Sequence, residues 1–249
     1  MEFPDHFSAH ASDYAQHRPR YPAELSTFLA GVAPGHGHVW DCGTGSGQAA
    51  VVLAADFDRV VATDASAEQL AHARKHPRVE YRVAPERDSG LPNASCDLVT
   101  AAQAAHWFDL QAFYREADRV LRPRGVLAIW GYNRTLVESR IDDVIGCFQY
   151  GKVGRYWPVG REHTEAGYRT LPFPYERLDV PVFVMRQRWS RTQLEGYLDT
   201  WSSVRRFREA EGVDPIPEVA RELAAYWPDP EEVREVRWPL FVIAGRKPG

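Results

Sequence analysis

Short apolar runs alternate with segments of helical periodicity over the first 130 residues of the chain. Phe113, Ala117, Val120 and Leu121 recur at the i, i+4, i+7 and i+8 spacing of an amphipathic helix, and Pro123 ends that segment. Strands are predicted at 39–40, 59–63, 79–83, 98–102 and 126–130, with further helices at 46–55 and from Ser66 onward. Strands that alternate with helices of about 10–15 residues indicate βαβ crossovers. The pattern therefore predicts an α/β fold with a mostly parallel sheet covered on both faces.

The alternation breaks after Trp130. Residues 133–175 are rich in Gly, Pro, Tyr and Arg and show no clean period. Further on, strands are predicted at 180–185 and 233–244, the latter carrying Pro239 at an edge or a bulge. Ser190 with Gln193 predicts a capped helix start, and another helix is predicted at 217–227. One domain with an irregular insertion is the simplest organisation.

The composition is that of a folded globular protein, with 44% hydrophobic and 26% charged residues. A chain of 249 residues buries enough surface to fold without a disulfide or a structural metal. Its formal net charge of −4 does not favour a broad surface for nucleic acids or anionic membranes.

Two further features bear on location. No stretch reaches the roughly 20 apolar residues of a membrane-spanning helix, and the N-terminal residues lack the apolar region of a secretory signal. The three cysteines are widely spaced and form no CxxC pair. We therefore expect a reduced, cytoplasmic protein with no metal site and no membrane segment.

A glycine cluster follows the first predicted strand and opens a helix, which is the setting of a nucleotide-binding loop. Gly43, Gly45 and Gly47 permit positive φ angles and close approach of a ligand to the backbone. Asp64 ends the second predicted strand, at a spacing that suits hydrogen bonds to both hydroxyls of a ribose. The alternative is a tight strand–helix turn in which Asp64 only caps the helix that begins at Ser66.

Two residues distinguish between possible nucleotide ligands. A dinucleotide loop usually reads G-x-G-x-x-G, whereas Gln48 stands at the last of these positions here. Asp41 precedes the first glycine by two residues, and a carboxylate there would repel a pyrophosphate but suit an ammonium group. The charges therefore favour S-adenosylmethionine (SAM) over NAD.

Residues 41–47, D-C-G-T-G-S-G, resemble motif I of the class I SAM-dependent methyltransferases, in particular the type-11 branch. Shorter matches follow at 64–70, 84–86, 91–92, 95–99 and 119–125. The likeness is strong over residues 7–131 and weak over the remainder. Segments 14–22 (Y-A-Q-H-R-P-R-Y-P) and 102–108 (A-Q-A-A-H-W-F) are similar to the trans-aconitate methyltransferase-like group.

The resemblance implies a doubly wound, Rossmann-like sheet of seven strands in the order 3-2-1-4-5-7-6. The sheet would be mostly parallel with its last strand antiparallel, and a helical or irregular insertion would follow strand five. Residues 180–185 would form strand six and residues 233–244 strand seven. The single domain 1–249 would then comprise an N-terminal lid and first helix (1–35), a SAM-binding core (36–131), the insertion with strand six and acceptor-side helices (132–228), and the last strand (229–249).

The resemblance also implies which residues contact SAM. The glycine loop and Asp41 would surround the methionine part, Asp64 would hold the ribose, and residues 84–86 would border the adenine. Arg18, on the lid, would pair with the methionine carboxylate, which a guanidinium fork matches. Pro85 departs from what relatives commonly carry before the glutamate. The positions assigned to the cofactor are Tyr14, Arg18, Asp41, Gly43, Thr44, Gly45, Gly47, Asp64, Ala65, Ala84, Pro85, Glu86 and Gln103.

His106 is the candidate catalytic residue because it follows the carboxyl end of the fourth strand, where open α/β sheets bind ligands. A base is needed only when the acceptor is a phenol, an alcohol or a protonated amine. His106 would act as that base or orient an anionic acceptor, and the alternative is a histidine packed at a helix start. Trp107 is predicted to form a pocket wall.

The insertion carries an excess of positive charge. Residues 133–191 hold ten basic and seven acidic side chains, interleaved with aromatic residues. This pattern predicts an acceptor pocket or lid for an anionic or aromatic small molecule, the alternative being a surface insertion with solvated arginines. The excess is too small to indicate nucleic acid.

The leading hypothesis is a SAM-dependent methyltransferase that O-methylates a small-molecule carboxylate or phenol. A SAM-binding sensor or partner subunit without catalysis is the first alternative, since its cofactor motifs would look the same. An NAD-dependent oxidoreductase is the second.

Overall fold

The computed structural model describes residues 18–249, so Tyr14 and most of the predicted lid lie outside the described residues. The strands are β1 His38–Cys42, β2 Arg59–Asp64, β3 Val79–Val83, β4 Cys96–Ala102, β5 Leu121–Gly131, β6 Glu176–Arg177, β7 Val184–Ser190, β8 Val233–Pro239 and β9 Phe241–Arg246. The α-helices are α1 Ala23–Val32, α2 Gln48–Leu53, α3 Ala67–Ala71, α4 Leu110–Val120, α5 Ser139–Gly146, α6 Arg161–Glu165, α7 Arg191–Asp199, α8 Ser202–Glu211 and α9 Ile216–Ala224. A π-helical turn, Cys147–Lys152, and two 3₁₀ turns, Ala105–Trp107 and Gly154–Tyr156, complete the regular structure.

Seven strands form the main sheet in the order β3-β2-β1-β4-β5-β9-β6. The first five in this order are parallel, and β9 runs antiparallel to both β5 and β6. The predicted doubly wound α/β sheet, with its last strand inserted between the fifth and the sixth, is therefore confirmed. The order reverses between β1 and β4, which opens a crevice at the carboxyl ends of these strands.

The predicted sixth strand is wrong. Residues 180–183 join no strand, and the sixth strand of the main sheet is the short β6. Pro181 has no N–H to donate to a sheet, and Val182 is exposed. The next residues form β7, which pairs with β8 in a separate two-stranded antiparallel sheet.

The single strand predicted at 233–244 is in fact two strands. It is interrupted after Pro239, where the chain leaves the small sheet as β8 and enters the main sheet as β9. Pro239 ends the ladder because it lacks a backbone donor. The predicted cap is confirmed, since Ser190 and Gln193 form a reciprocal capping box. The Ser66 side chain likewise accepts from the Gln69 amide at the start of α3.

Two apolar layers cover the main sheet. On one face, Trp40 and Ile129 pack with Phe113 of α4. On the other face, α1 and α2 cover the sheet, and the same cluster continues without a break into the β7–β8 sheet and α7–α9. Within the described part of the chain, no helix is long and apolar enough to cross a membrane.

Candidate functional site

The glycine loop between β1 and α2 has the backbone that its sequence predicts. Gly43, Gly45 and Gly47 have φ angles of 65°, 55° and 76°. A Cβ atom on Gly47 would lie 2.1 Å from the hydroxyl oxygen of Tyr81, so any side chain at position 47 would require Tyr81 to move. Thr44 ties the loop to the sheet by donating its backbone N–H to the carbonyl of Thr63.

Asp64 lies at the carboxyl end of β2, beside this loop. Its Oδ2 accepts from the Gly45 amide at 2.8 Å, and its Oδ1 accepts from the Ser66 amide at 2.9 Å. The carboxylate therefore holds the loop and also contacts the start of α3, as the capping alternative anticipates. Asp64 lines the cleft, and a carboxylate there is an acceptor of the kind that ribose hydroxyls need.

Asp41 does not lie in the wall of the cleft, contrary to the prediction that it contacts SAM directly. It is fully buried beneath the loop and accepts from the hydroxyls of Thr44 at 2.5 Å and Thr100 at 2.7 Å. Burial raises the pKa of Asp41 to about 6, against the lowering effect of these two hydrogen bonds. Above that pH its charge acts on the cleft from behind the loop.

The loop, Asp64 and the ends of β3 and β4 enclose a cleft of about 1010 Å³. Eight of the predicted cofactor residues line it: Gly43, Thr44, Gly45, Asp64, Ala65, Ala84, Glu86 and Gln103. Gly47 and Pro85 do not line it. The described lining includes the acids Asp64 and Glu86 but no lysine or arginine. An anionic lining of this kind suits the sulfonium and ammonium of SAM and disfavours the pyrophosphate of a dinucleotide.

Gln69 is a residue of this cleft that the sequence analysis did not assign to the cofactor. It is 6% exposed, it lines the cleft, and its Nε2 has no hydrogen-bond partner within residues 18–249. A buried amide donor of this kind calls for an acceptor. Ring nitrogens and hydroxyl oxygens of an adenosine provide such acceptors, so the lining fits SAM.

A second cavity, of about 640 Å³, adjoins the cofactor cleft. The two share Gln103, Trp107 and Tyr132 as lining residues. Gln103 follows β4 with a φ of 53°, unusual for a residue with a side chain, and its amide bonds both backbone groups of Tyr132. This strained link joins the ends of β4 and β5 at the junction of the two cavities.

The second cavity combines aromatic rings with arginines. The guanidinium of Arg161 lies 4.0 Å from the ring centroid of Trp157, and that of Arg18 lies 5.5 Å from the centroid of Tyr197. Arg18 donates to the Tyr132 hydroxyl and the Thr200 carbonyl and lines this cavity rather than the cofactor cleft. The placement of Arg18 therefore does not favour the predicted pairing with the methionine carboxylate of SAM.

His106 lines the second cavity, and Trp107 forms a wall of both. The Nδ1 atom of His106 lies 2.7 Å from the hydroxyl oxygen of the fully buried Tyr168. Burial, together with the charges of Arg161 and His163, lowers the pKa of His106 to about 3. The His106 ring is therefore neutral near pH 7 and too weakly basic to take a proton from a phenol.

Within the described residues no cluster of His, Cys, Asp or Glu is arranged to hold a metal ion.

Comparisons with known proteins agree with this geometry. A family model described as a methyltransferase domain, of type 11, matches residues 40–129. A protein of Dictyostelium discoideum named as a methyltransferase is 30% identical over 99% of this chain and 96% of its own. A yeast protein named as an S-adenosylmethionine-dependent methyltransferase is 31% identical over 50% of this chain and 45% of its own.

The fold has a close counterpart among solved structures. A type II methyltransferase from Anaeromyxobacter dehalogenans superposes with a TM-score of 0.88 at 47% identity, over 93% of this chain and 99% of that one. Sequence, fold and the anionic cleft point to one cofactor, SAM, and exclude the oxidoreductase alternative. The chain belongs to the class I SAM-dependent methyltransferases and carries a type-11 methyltransferase domain.

Proposed function

We propose that this methyltransferase O-methylates a small-molecule carboxylate bound in the second cavity, which we call the acceptor cavity. The observation that carries the proposal is its charge: Arg18 and Arg161 line it, and none of the lining residues that the structure describes is acidic. Arg161 is 16% exposed, and its one ion-pair partner within residues 18–249 is Glu165, 3.6 Å away. A guanidinium in this setting suits a carboxylate.

The arginines that lie against the aromatic rings make the cavity better suited to an anion than to a cation. Faces of Trp and Tyr attract ammonium groups, and aromatic cages bind methylated amines in this way. Here Arg161 already covers Trp157, and Arg18 lies near the face of Tyr197. A cationic acceptor would meet two positive charges, which disfavours N-methylation of an amine.

A carboxylate is favoured over a phenol because of the protonation chemistry. A carboxylate is ionised at neutral pH, whereas a phenol with a pKa of about 10 must lose a proton to react. The low pKa of His106 makes it a poor base, so the acceptor that needs none fits better. The resemblance of residues 102–108 to the trans-aconitate methyltransferase-like group also supports an acid.

The residues then divide the work between the two cavities. Asp64, Gln69 and the glycine loop would hold SAM, which when bound supplies a methyl group on a positively charged sulfur. Gln103 and Tyr132 define the opening through which the acceptor meets it. Arg161 and His106 orient the acceptor, and positioning of this kind supplies a large part of the acceleration of a displacement.

Turnover of matched acceptors tests the proposal. Small aromatic and unsaturated carboxylates, their amides and the corresponding phenols and amines are compared by release of S-adenosylhomocysteine. Carboxylates should react, and Arg161→Met should raise their KM roughly 10- to 100-fold, since a charge-assisted hydrogen bond is worth about 1.5–3 kcal/mol.

Arg155→Met is the matched control, because Arg155 is an exposed arginine of the same insertion, paired with Glu211 and absent from the cavity lining. It should leave KM unchanged, and SAM affinity should be normal in both variants. Turnover of phenols or amines with no reaction of any carboxylate would refute the proposal.

A further inference from the structure

The hydroxyl of Tyr168 faces His106 from inside the protein. Tyr168 follows α6, is fully buried, and holds a left-handed backbone with a φ of 57°. Its ring packs edge-on against Phe241 of β9, with the ring centroids 4.8 Å apart. A bulky residue in this conformation is strained, and such strain persists where the surroundings fix it.

The hydrogen bond between Tyr168 and His106 has a defined direction. A buried hydroxyl proton that finds no acceptor is costly, whereas an unused lone pair costs less. Within residues 18–249, Nδ1 of His106 is the acceptor that the Tyr168 hydroxyl reaches. The phenol therefore donates to Nδ1, and the proton of the neutral imidazole resides on Nε2.

The other ring nitrogen is the one available to the acceptor. Nε2 makes no hydrogen bond within the described residues, and His106 lines the acceptor cavity. Arg161 and His163 are the charged or titratable groups, besides Tyr168, that act on the ring, and both oppose its protonation. A neutral ring that carries its proton on Nε2 can donate a hydrogen bond but cannot accept a proton there.

We propose that Tyr168 is a positioning residue, which fixes His106 as an Nε2–H donor to an oxygen of the acceptor. The role in turnover rests on the proposed carboxylate acceptor, whereas the tautomer of His106 does not. Donation to one oxygen of a carboxylate orients the group and leaves its other oxygen to attack. This arrangement of Tyr168 and His106 favours acceptors that are already ionised when they bind.

Imidazole ¹⁵N NMR of the labelled, ligand-free protein tests the tautomer directly. The His106 signals, assigned by their loss in His106→Gln, should show a neutral ring protonated on Nε2 from about pH 5 to about pH 8. Tyr168→Phe should convert this pattern to a mixture of tautomers. A wild-type ring protonated on Nδ1, a charged ring, or an unchanged pattern in Tyr168→Phe would overturn the inference.

Kinetics separate positioning from packing. Tyr168→Phe should lower kcat for a carboxylate roughly tenfold, the loss of about one hydrogen bond, and leave SAM affinity unchanged. Tyr114→Phe is the matched control, because the Tyr114 hydroxyl donates to the Pro172 carbonyl, outside the cavity. It should change neither kcat nor the His106 spectrum, and an equal loss of kcat in both variants would reduce Tyr168 to packing. A screen in which no carboxylate reacts would refute the proposed function and the role of Tyr168 in turnover. The tautomer of His106 would still be decided by the NMR measurement alone.

Discussion

Asp64 shows how far single residues can be assigned from the sequence. Its distance from the glycine loop placed it at the end of β2, because strand and turn lengths in a βαβ unit are narrowly constrained. Charge and the family resemblance put Asp41 in contact with SAM, yet its side chain lies beneath the loop and accepts from Thr100. Adjacent strand positions face opposite sides, and only the folded loop decides which side meets the ligand.

Replacing Asp64 by Ala should weaken SAM binding about 10- to 100-fold, since the lost bonds to a ribose are charge-assisted. Its bonds to Gly45 and Ser66 are lost as well, so stability should fall by about 1 kcal/mol. Calorimetric titration with SAM and urea unfolding measure the two effects.

Asp109→Ala is the matched control for Asp64. Asp109 caps α4 by accepting from the Ala112 amide at 3.1 Å and does not line the cleft. Its loss should cost a similar ~1 kcal/mol of stability with SAM affinity unchanged. Normal SAM affinity in a folded Asp64→Ala protein would show that Asp64 serves only the loop.

At the scale of elements, the residue pattern predicted the first five strands, four of them from short apolar or β-branched runs and β3 from apolar residues that alternate with charged ones. The prediction failed at residues 180–185, where Pro181 interrupts the apolar segment and only residues 184–185 belong to a strand. Residues 133–175 gave no pattern because they fold into short helices and turns of mixed type, held by side-chain bonds such as that from Asn133 to the Thr164 carbonyl. These contacts are tertiary and leave no period in the sequence.

A substitution in the glycine loop tests how tightly the loop packs against Tyr81 of β3. Gly47→Ala should destabilise the protein more than Gly212→Ala, although the two glycines have similar φ angles of 76° and 69°. Both variants suffer left-handed strain of about 1–2 kcal/mol. The Cβ at 47 also collides with Tyr81, which adds about 1–3 kcal/mol, whereas nothing lies within 4 Å at 212. Equal losses in urea unfolding would show that Tyr81 moves aside freely.

At the scale of the molecule, the acceptor cavity arises from parts that are distant in sequence. His106 follows β4, Arg161 begins α6, and Tyr197 and Trp201 lie in and after α7. Composition indicated arginines and aromatics in this region, but their meeting depends on the packing of the insertion over the ends of β4 and β5. The cofactor cleft could be predicted largely because its residues are local to successive βα turns.

The continuous apolar cluster makes a prediction for the whole chain. Because Trp189 and Trp238 of the small sheet share one core with Leu98 of β4, the two sheets should unfold as one cooperative unit. S-adenosylhomocysteine at about 100 times its Kd should then raise the free energy of unfolding by about 2.7 kcal/mol everywhere. In native-state hydrogen exchange, the slowest amides of β7 and β8 should gain the same protection as those of β4, although no residue of β7 or β8 lines either cavity. Protection confined to the main sheet would show that the small sheet and its helices open as a separate unit.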